Sequence, residues 1–172
     1  VCMMSSPFST RPLSTRRQLF TLLIGSAALY PLVGLAQSAP QPELPKEKLV
    51  IVTQDGVHHE FNVEMALTMS QQMTGLMFRP TVPADGGMLF DWGTERDSQM
   101  WMKNTLASLD MLFIGTDGTI RHIAENTVPQ SLATIDGRFP VRATLELAAG
   151  TAARLDIRVG DKVLQRIFGN AA

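Results

Sequence analysis

Cysteine is all but missing from this chain. Its one example, Cys2, stands at the extreme N-terminus ahead of an apolar leader. The body of the protein therefore has no thiol for a disulfide, a thiolate nucleophile, an iron–sulfur cluster or covalent haem attachment. A surplus of positive charge is missing too. Lys and Arg number 15 against 16 Asp and Glu, and a nucleic-acid or polybasic lipid surface rests on clustered cations that this sequence does not carry. No Gly-x-Ser-x-Gly elbow, phosphate-binding loop or dinucleotide fingerprint is present. Long helical periodicity is also lacking.

What is present begins with an export leader. Arg16-Arg17 precedes a moderately apolar run from Leu19 to Ala36, the layout of a twin-arginine signal peptide. Small residues at Gly34 and Ala36 suit signal peptidase, which places the cut between Ala36 and Gln37. Gly25, Pro31 and Gly34 make the run a poor permanent span. The reading for residues 1–36 is therefore a cleaved leader, with the translocation machinery and the peptidase as partners in transit and no membrane span in the mature form. The expected compartment is the periplasm. Loss of Arg11, Arg16 and Arg17 leaves 12 basic residues against the same 16 acidic ones, an ordinary acidic surface.

Residues 37–48 carry Pro40, Pro42 and Pro45 and read as a mobile linker. From Leu49 the signals turn to strands. Asp55-Gly56 and Asp117-Gly118 are tight-hairpin pairs, and after the first Phe61, Val63, Met65 and Leu67 alternate with Asn62, Glu64, Ala66 and Thr68. Thr68 and Gln71 have capping-box spacing, which predicts a short helix from Met69 to about Met77 with Met73, Leu76 and Met77 turned inward. Strands are expected at 88–90, 99–102, 110–114, 119–124, 143–147 and 162–167, with a second short helix capped by Thr151. About seven short strands with one or two small helices, spread over residues 49–168 and followed by a tail at 169–172, predict a mainly β domain, a compact barrel or sandwich.

The ordered set Gly75-Leu76-Met77-Phe78-Arg79, Gly87-Met88-Leu89-Phe90, Trp101-Met102-Lys103-Asn104-Thr105, Leu109-Asp110, Asp117-Gly118-Thr119-Ile120, Leu145-Glu146-Leu147 with Gly150, and Gly160-Asp161 strongly resembles the domain-of-unknown-function family 192. The resemblance covers nearly the whole mature domain. It implies a compact β barrel-like fold with one short helix, often exported and without an established activity, and it supplies no catalytic residues to carry over. The chain departs from that pattern at Gln71 and Gln72, where a Glu-Arg pair is common, at Met100 in place of Phe, and at Ser108 in place of a Pro.

Several residues invite chemistry. Met65, Met69, Met73 and Met77 recur every four positions, and thioethers suit Cu(I), yet strand and helix positions would not form one stripe and core packing is the expected role. His58 and His59 are strand neighbours that point to opposite faces, and His122 reads as a half-buried core histidine. Asp91, Glu95 and Asp97 do not fit a calcium loop. No metal site and no cofactor are expected. Arg79, Trp101, Lys103, Asn104 and Asp110 remain, because they place charge beside apolar strands. They describe either a structural network around Asp110 or a pocket for a small polar ligand with the Trp101 indole as its platform. Two functions follow. One is a non-catalytic periplasmic binding or accessory module for an envelope ligand. The other is a small hydrolase or lyase using Asp110 as acid or base, with Lys103, Arg79 and Asn104 assisting.

Overall fold

A computed structural model describes residues 39–171; the leader and the Ala36–Gln37 cleavage point lie outside the described residues. The elements are β1 (Lys46–Val52), β2 (His58–Ala66), α1 (Met69–Thr74), β3 (Gly86–Arg96), β4 (Gln99–Met100), β5 (Leu109–Ile114), β6 (Ile120–Ala124), β7 (Ile135–Asp136), β8 (Val141–Ala148), α2 (Thr151–Arg154), β9 (Lys162–Leu164) and a closing 3-10 turn at Arg166–Phe168. Seven strands form one sheet in the order β6-β5-β8-β3-β2-β1-β9, and β4 and β7 make a separate two-stranded ribbon. Every pairing in the sheet is antiparallel except β2 with β3. That exception requires a crossover, and α1 lies within it.

The sheet curls into a half-barrel whose two outer strands meet at one end. Ile120 N–H donates to Asp161 O at 2.9 Å, Gly160 N–H to Ile120 O at 2.9 Å, and Val163 N–H to Gly118 O at 2.8 Å. Inside the curl, Leu49, Ile51, Val63, Leu112, Leu145 and Leu147 pack with Ile120 and Val163 from the two edges. A second cluster covers the outer face of the central strands and includes Met88, Phe90, Met102, Met111 and Phe113. Alternation along each strand assigns residues to one cluster or the other, so β8 sends Leu145 and Leu147 inward while Thr144 and Glu146 face outward. Gly87 belongs to β3 because that strand runs close to β8; a Cβ there would sit 2.3 Å from Glu146 O.

The mainly β expectation holds, and the barrel reading is favoured over the sandwich. Several boundaries differ. Strand β1 starts at Lys46, and the proline-rich stretch before it is docked. Gln41 Nε2 donates to Gly75 O at 2.9 Å, and Leu44 N–H donates to Glu64 Oε2 at 2.8 Å. Prolines bar those residues from a sheet interior but not from side-chain contacts. The capping box at Thr68 and Gln71 is present, yet α1 ends at Thr74, where Gly75 takes a positive φ of 50°. Met73 consequently faces solvent at 71 % exposure and Met69 at 77 %, against the expected inward packing. Thr151 does not cap α2; Gly150 does, in the left-handed conformation. The 99–102 strand is only the two residues of β4, and 162–167 divides into β9 and the closing turn. Ser108 replaces the family's proline without loss of order, since its hydroxyl donates to Thr127 O at 2.7 Å.

Candidate functional site

The five residues singled out from sequence divide among three places. Asp110 lies on β5 with 0 % exposure, on the inner face. Its Oδ1 accepts from Asn126 N–H and its Oδ2 from Ala152 N–H, both at 2.9 Å. It thereby ties the turn after β6 and the first turn of α2 to the sheet, and it supplies the cap that Gly150 cannot. Arg79 pairs with Glu64, with Nη2 to Oε2 at 2.9 Å. Burial works against the Glu64 charge, but Arg79 and the Leu44 amide outweigh it and hold that carboxyl below its ordinary range. Both groups are committed to each other. Trp101, Lys103 and Asn104 do stay together. The Lys103 ammonium lies 5.0 Å from the Trp101 ring centre, and Asn104, at a φ of 56°, accepts from Phe78 N–H at 2.8 Å and directs its amide at the Met77 sulfur, 3.9 Å away.

Trp101 borders a cleft of about 280 Å³ between α1, the outer face of the sheet and the 99–105 loop. Met69, Met73 and Met77 form one side, Met100 and Trp101 another, and Phe90 and Trp92 lie on the sheet. Local rules place these residues. The positive φ at Gly75 turns the chain off α1 against Phe90, whose ring a Cβ at residue 75 would approach to 3.0 Å. Phe90 stacks on Trp92 at 5.7 Å, and the Trp92 indole N–H donates to Thr144 Oγ1 at 3.2 Å. Ser98 Oγ lies 3.4 Å from the same oxygen. Arg96 lies over the outer part of Trp92, 4.4 Å from its ring centre.

Glu146 lines this cleft as well. It is 4 % exposed, flanked in register by Met88 of β3 and Met111 of β5, and among the described residues its carboxyl has no hydrogen-bond or ion-pair partner, its oxygens keeping their small remaining access at the cleft. Burial alone pushes its pKa up to about 8. A carboxyl in that setting either stays protonated as a hydrogen-bond donor or ionises when a cation arrives. Sequence reasoning passed over it, together with Trp92 and Arg96, because Glu146 reads as the solvent side of a half-buried strand. The available signal was an acidic residue enclosed by Ala-Thr-Leu and Leu-Ala in a strand that proves to be central and covered on both faces.

Three of the other polar candidates, Asp91, Glu95 and His122, are engaged structurally. Asp91 pairs with Arg142, and Glu95 with Arg121. His122 stacks on Phe113 at 5.7 Å, and burial, then Arg138, lower its pKa. No three His, Cys, Asp or Glu side chains among the described residues are arranged to hold a metal ion.

Residues 50–165 match the DUF192 family, described as an uncharacterized ACR, and the chain belongs to that family. Among solved structures it is similar to a protein of Sinorhizobium meliloti 1021 described as a "putative transcription regulator", with 48% identity over 74% of this chain and 98% of that one and a TM-score of 0.72. It is also similar to a protein of unknown function from Novosphingobium aromaticivorans, with 35% identity over 76% of this chain and 94% of that one and a TM-score of 0.69. No curated protein matches the chain.

Proposed function

We propose that the protein is a non-catalytic binding module that is exported to the periplasm and holds a small envelope ligand in the cleft between α1 and the sheet. The observation that carries this reading is Glu146. A buried carboxyl without a partner destabilises the fold, and an opening onto a cleft walled by methionine and tryptophan is the arrangement in which a ligand would compensate for it. Groups retained for binding commonly have that energetic signature. Flexible methionines at the mouth suit an adaptable apolar lip.

The hydrolase or lyase reading centred on Asp110 loses support, since both Asp110 oxygens are occupied by backbone amides on the face away from the cleft, while Arg79 serves Glu64. The regulator description of the Sinorhizobium relative draws no support from the described helices either. They are six and four residues long, too short to lie along a DNA groove as a recognition helix.

The test is a thermal-shift screen of periplasmic metabolites, muropeptides, oligosaccharides and amines against wild type and Glu146→Gln. The expected result is a variant with a higher unfolding midpoint than wild type and a compound that stabilises wild type alone. A Glu146→Gln variant that is less stable than wild type would assign the carboxyl a structural role and end this reading. Export is tested by changing Arg16 and Arg17 to Lys, which should leave precursor in the cytoplasm on fractionation. Full processing of that variant in the periplasm would refute the twin-arginine route.

A further inference from the structure

We propose that the cleft takes a small organic cation, an ammonium group carried on an apolar ring or chain, with the Glu146 carboxylate as its counter-ion and the Trp92 and Trp101 indoles beside it. This rests on the reading of the cleft as a ligand site and names the chemistry of the ligand.

Three observations converge on it. First, among the described residues Glu146 is the one buried charge-bearing group that lines the cleft, and no described cation serves it. Arg96 is the only other charged side chain in the lining; it is exposed at the mouth and engaged with the Trp92 ring, and burial is the only influence felt at Glu146. Second, the walls are of the kind that attracts cations. Indole faces and thioether sulfurs are polarisable and present negative potential. Both tryptophans of the chain line the cleft, and each already attracts a cation at its outer reach, Arg96 at 4.4 Å and Lys103 at 5.0 Å. Third, about 280 Å³ is just below the ~300–1,000 Å³ typical of small-molecule sites, which favours a compact amine over a polymer.

Proton linkage fixes the sign of the pH effect. With its pKa near 8, Glu146 must ionise to meet a cation, so affinity for an amine rises through that pH. An alkylammonium resembles a lysine side chain and keeps its own proton to about pH 10. An anionic or acceptor ligand would need the protonated carboxyl and would weaken over the same range.

Titration calorimetry of the purified protein with 2-phenylethylamine, 2-phenylethanol and 3-phenylpropionate compares one ring carrying a cation, a neutral hydroxyl and an anion. The amine should bind at least about tenfold more tightly than the alcohol at pH 9 and gain about tenfold between pH 7 and pH 9, as the ionised fraction of Glu146 rises. Glu146→Gln should erase both the preference and the pH slope. The two indole N–H resonances, the only two in the chain, report independently whether a compound enters the cleft. If the alcohol or the propionate binds as well as the amine and shifts those resonances, the cleft is a ligand site and the cation inference is overturned. If none of the three binds or moves either resonance, the inference falls together with the reading beneath it. Equal amine affinity in wild type and Glu146→Gln also overturns the inference.

Discussion

Asp110 and Glu146 lie one register step apart on adjacent strands, with Asp110 opposite Leu147 and Glu146 opposite Met111. Both are buried, yet their faces and their fates differ. Asp110 points into the curl and meets two backbone N–H groups that would otherwise be orphaned. Glu146 points outward into a field of methionine and aromatic carbon and meets none. The contrast teaches that burial of a carboxyl says little by itself. Where amides converge on it, the group is a fastener, because donors and acceptor satisfy each other. Where nothing converges, the same group strains the fold and calls for an explanation outside the fold.

The contrast can be broken most sharply at Asp110. Asp110→Ala leaves the Asn126 and Ala152 amides buried without an acceptor and should cost about 4 kcal/mol, at ~1–3 kcal/mol per stranded group plus the loss of a charged acceptor; urea denaturation measures it. An effect below about 1 kcal/mol would show that water replaces the carboxylate. Glu146→Gln should act in the opposite direction and depend on pH. The carboxyl keeps its proton to about 8 in the folded chain but releases it near 4.5 when unfolded. Between those values the folded state binds more protons, so wild-type stability falls as pH rises through the window, is free of the penalty below it and bears all of it above. The total should be at most about 5 kcal/mol, and the variant should show a flatter profile over the same range.

Two smaller tests sharpen the comparison from outside it. Thr68→Ala removes the hydroxyl that accepts from Gln71 N–H and should cost about 1 kcal/mol, the usual value of an N-cap. Because α1 forms one wall of the cleft, the loss should also broaden the Trp92 and Trp101 indole resonances. Lys103→Met leaves only an exposed cation–π contact behind and should change stability by no more than about 0.5 kcal/mol in chemical denaturation. A larger loss would give the Lys103 side chain a structural part that its exposure does not suggest.

The legibility of the fold followed from what is local. Both hairpins, the capping box and the alternation over 61–68 could be read because each depends on residues within about four positions of one another. Which strand becomes central is not local. Glu146 alternates with Leu145 and Leu147 as an exposed residue would, and only the placement of β8 between β3 and β5 under the α1 crossover buries it. The same long-range placement separated Asp110 from Lys103, residues close in sequence that end on different faces. Met69 and Met73 show the converse. Hydrophobic character predicted burial, but α1 is only six residues long and covers the sheet with one short side, so its remaining methionines face the cleft mouth and solvent. Trp101 was legible as a candidate because an indole beside the charged and polar Lys103 and Asn104 can offer a ligand platform, and it does border the cleft.

The meeting of Gly118–Ile120 with Gly160–Val163 has a consequence for life in a crowded compartment. An open sheet of seven strands would present two rows of free amides and carbonyls, each a template on which another chain could polymerise. Here part of each row is consumed by the other, through the three backbone hydrogen bonds that join the ends. Gly118 makes the approach possible, since a Cβ there would come within 2.4 Å of Val163 O. What serves within one molecule to shape a half-barrel serves between molecules as a guard against fibrils, and the absence of a single side chain maintains it.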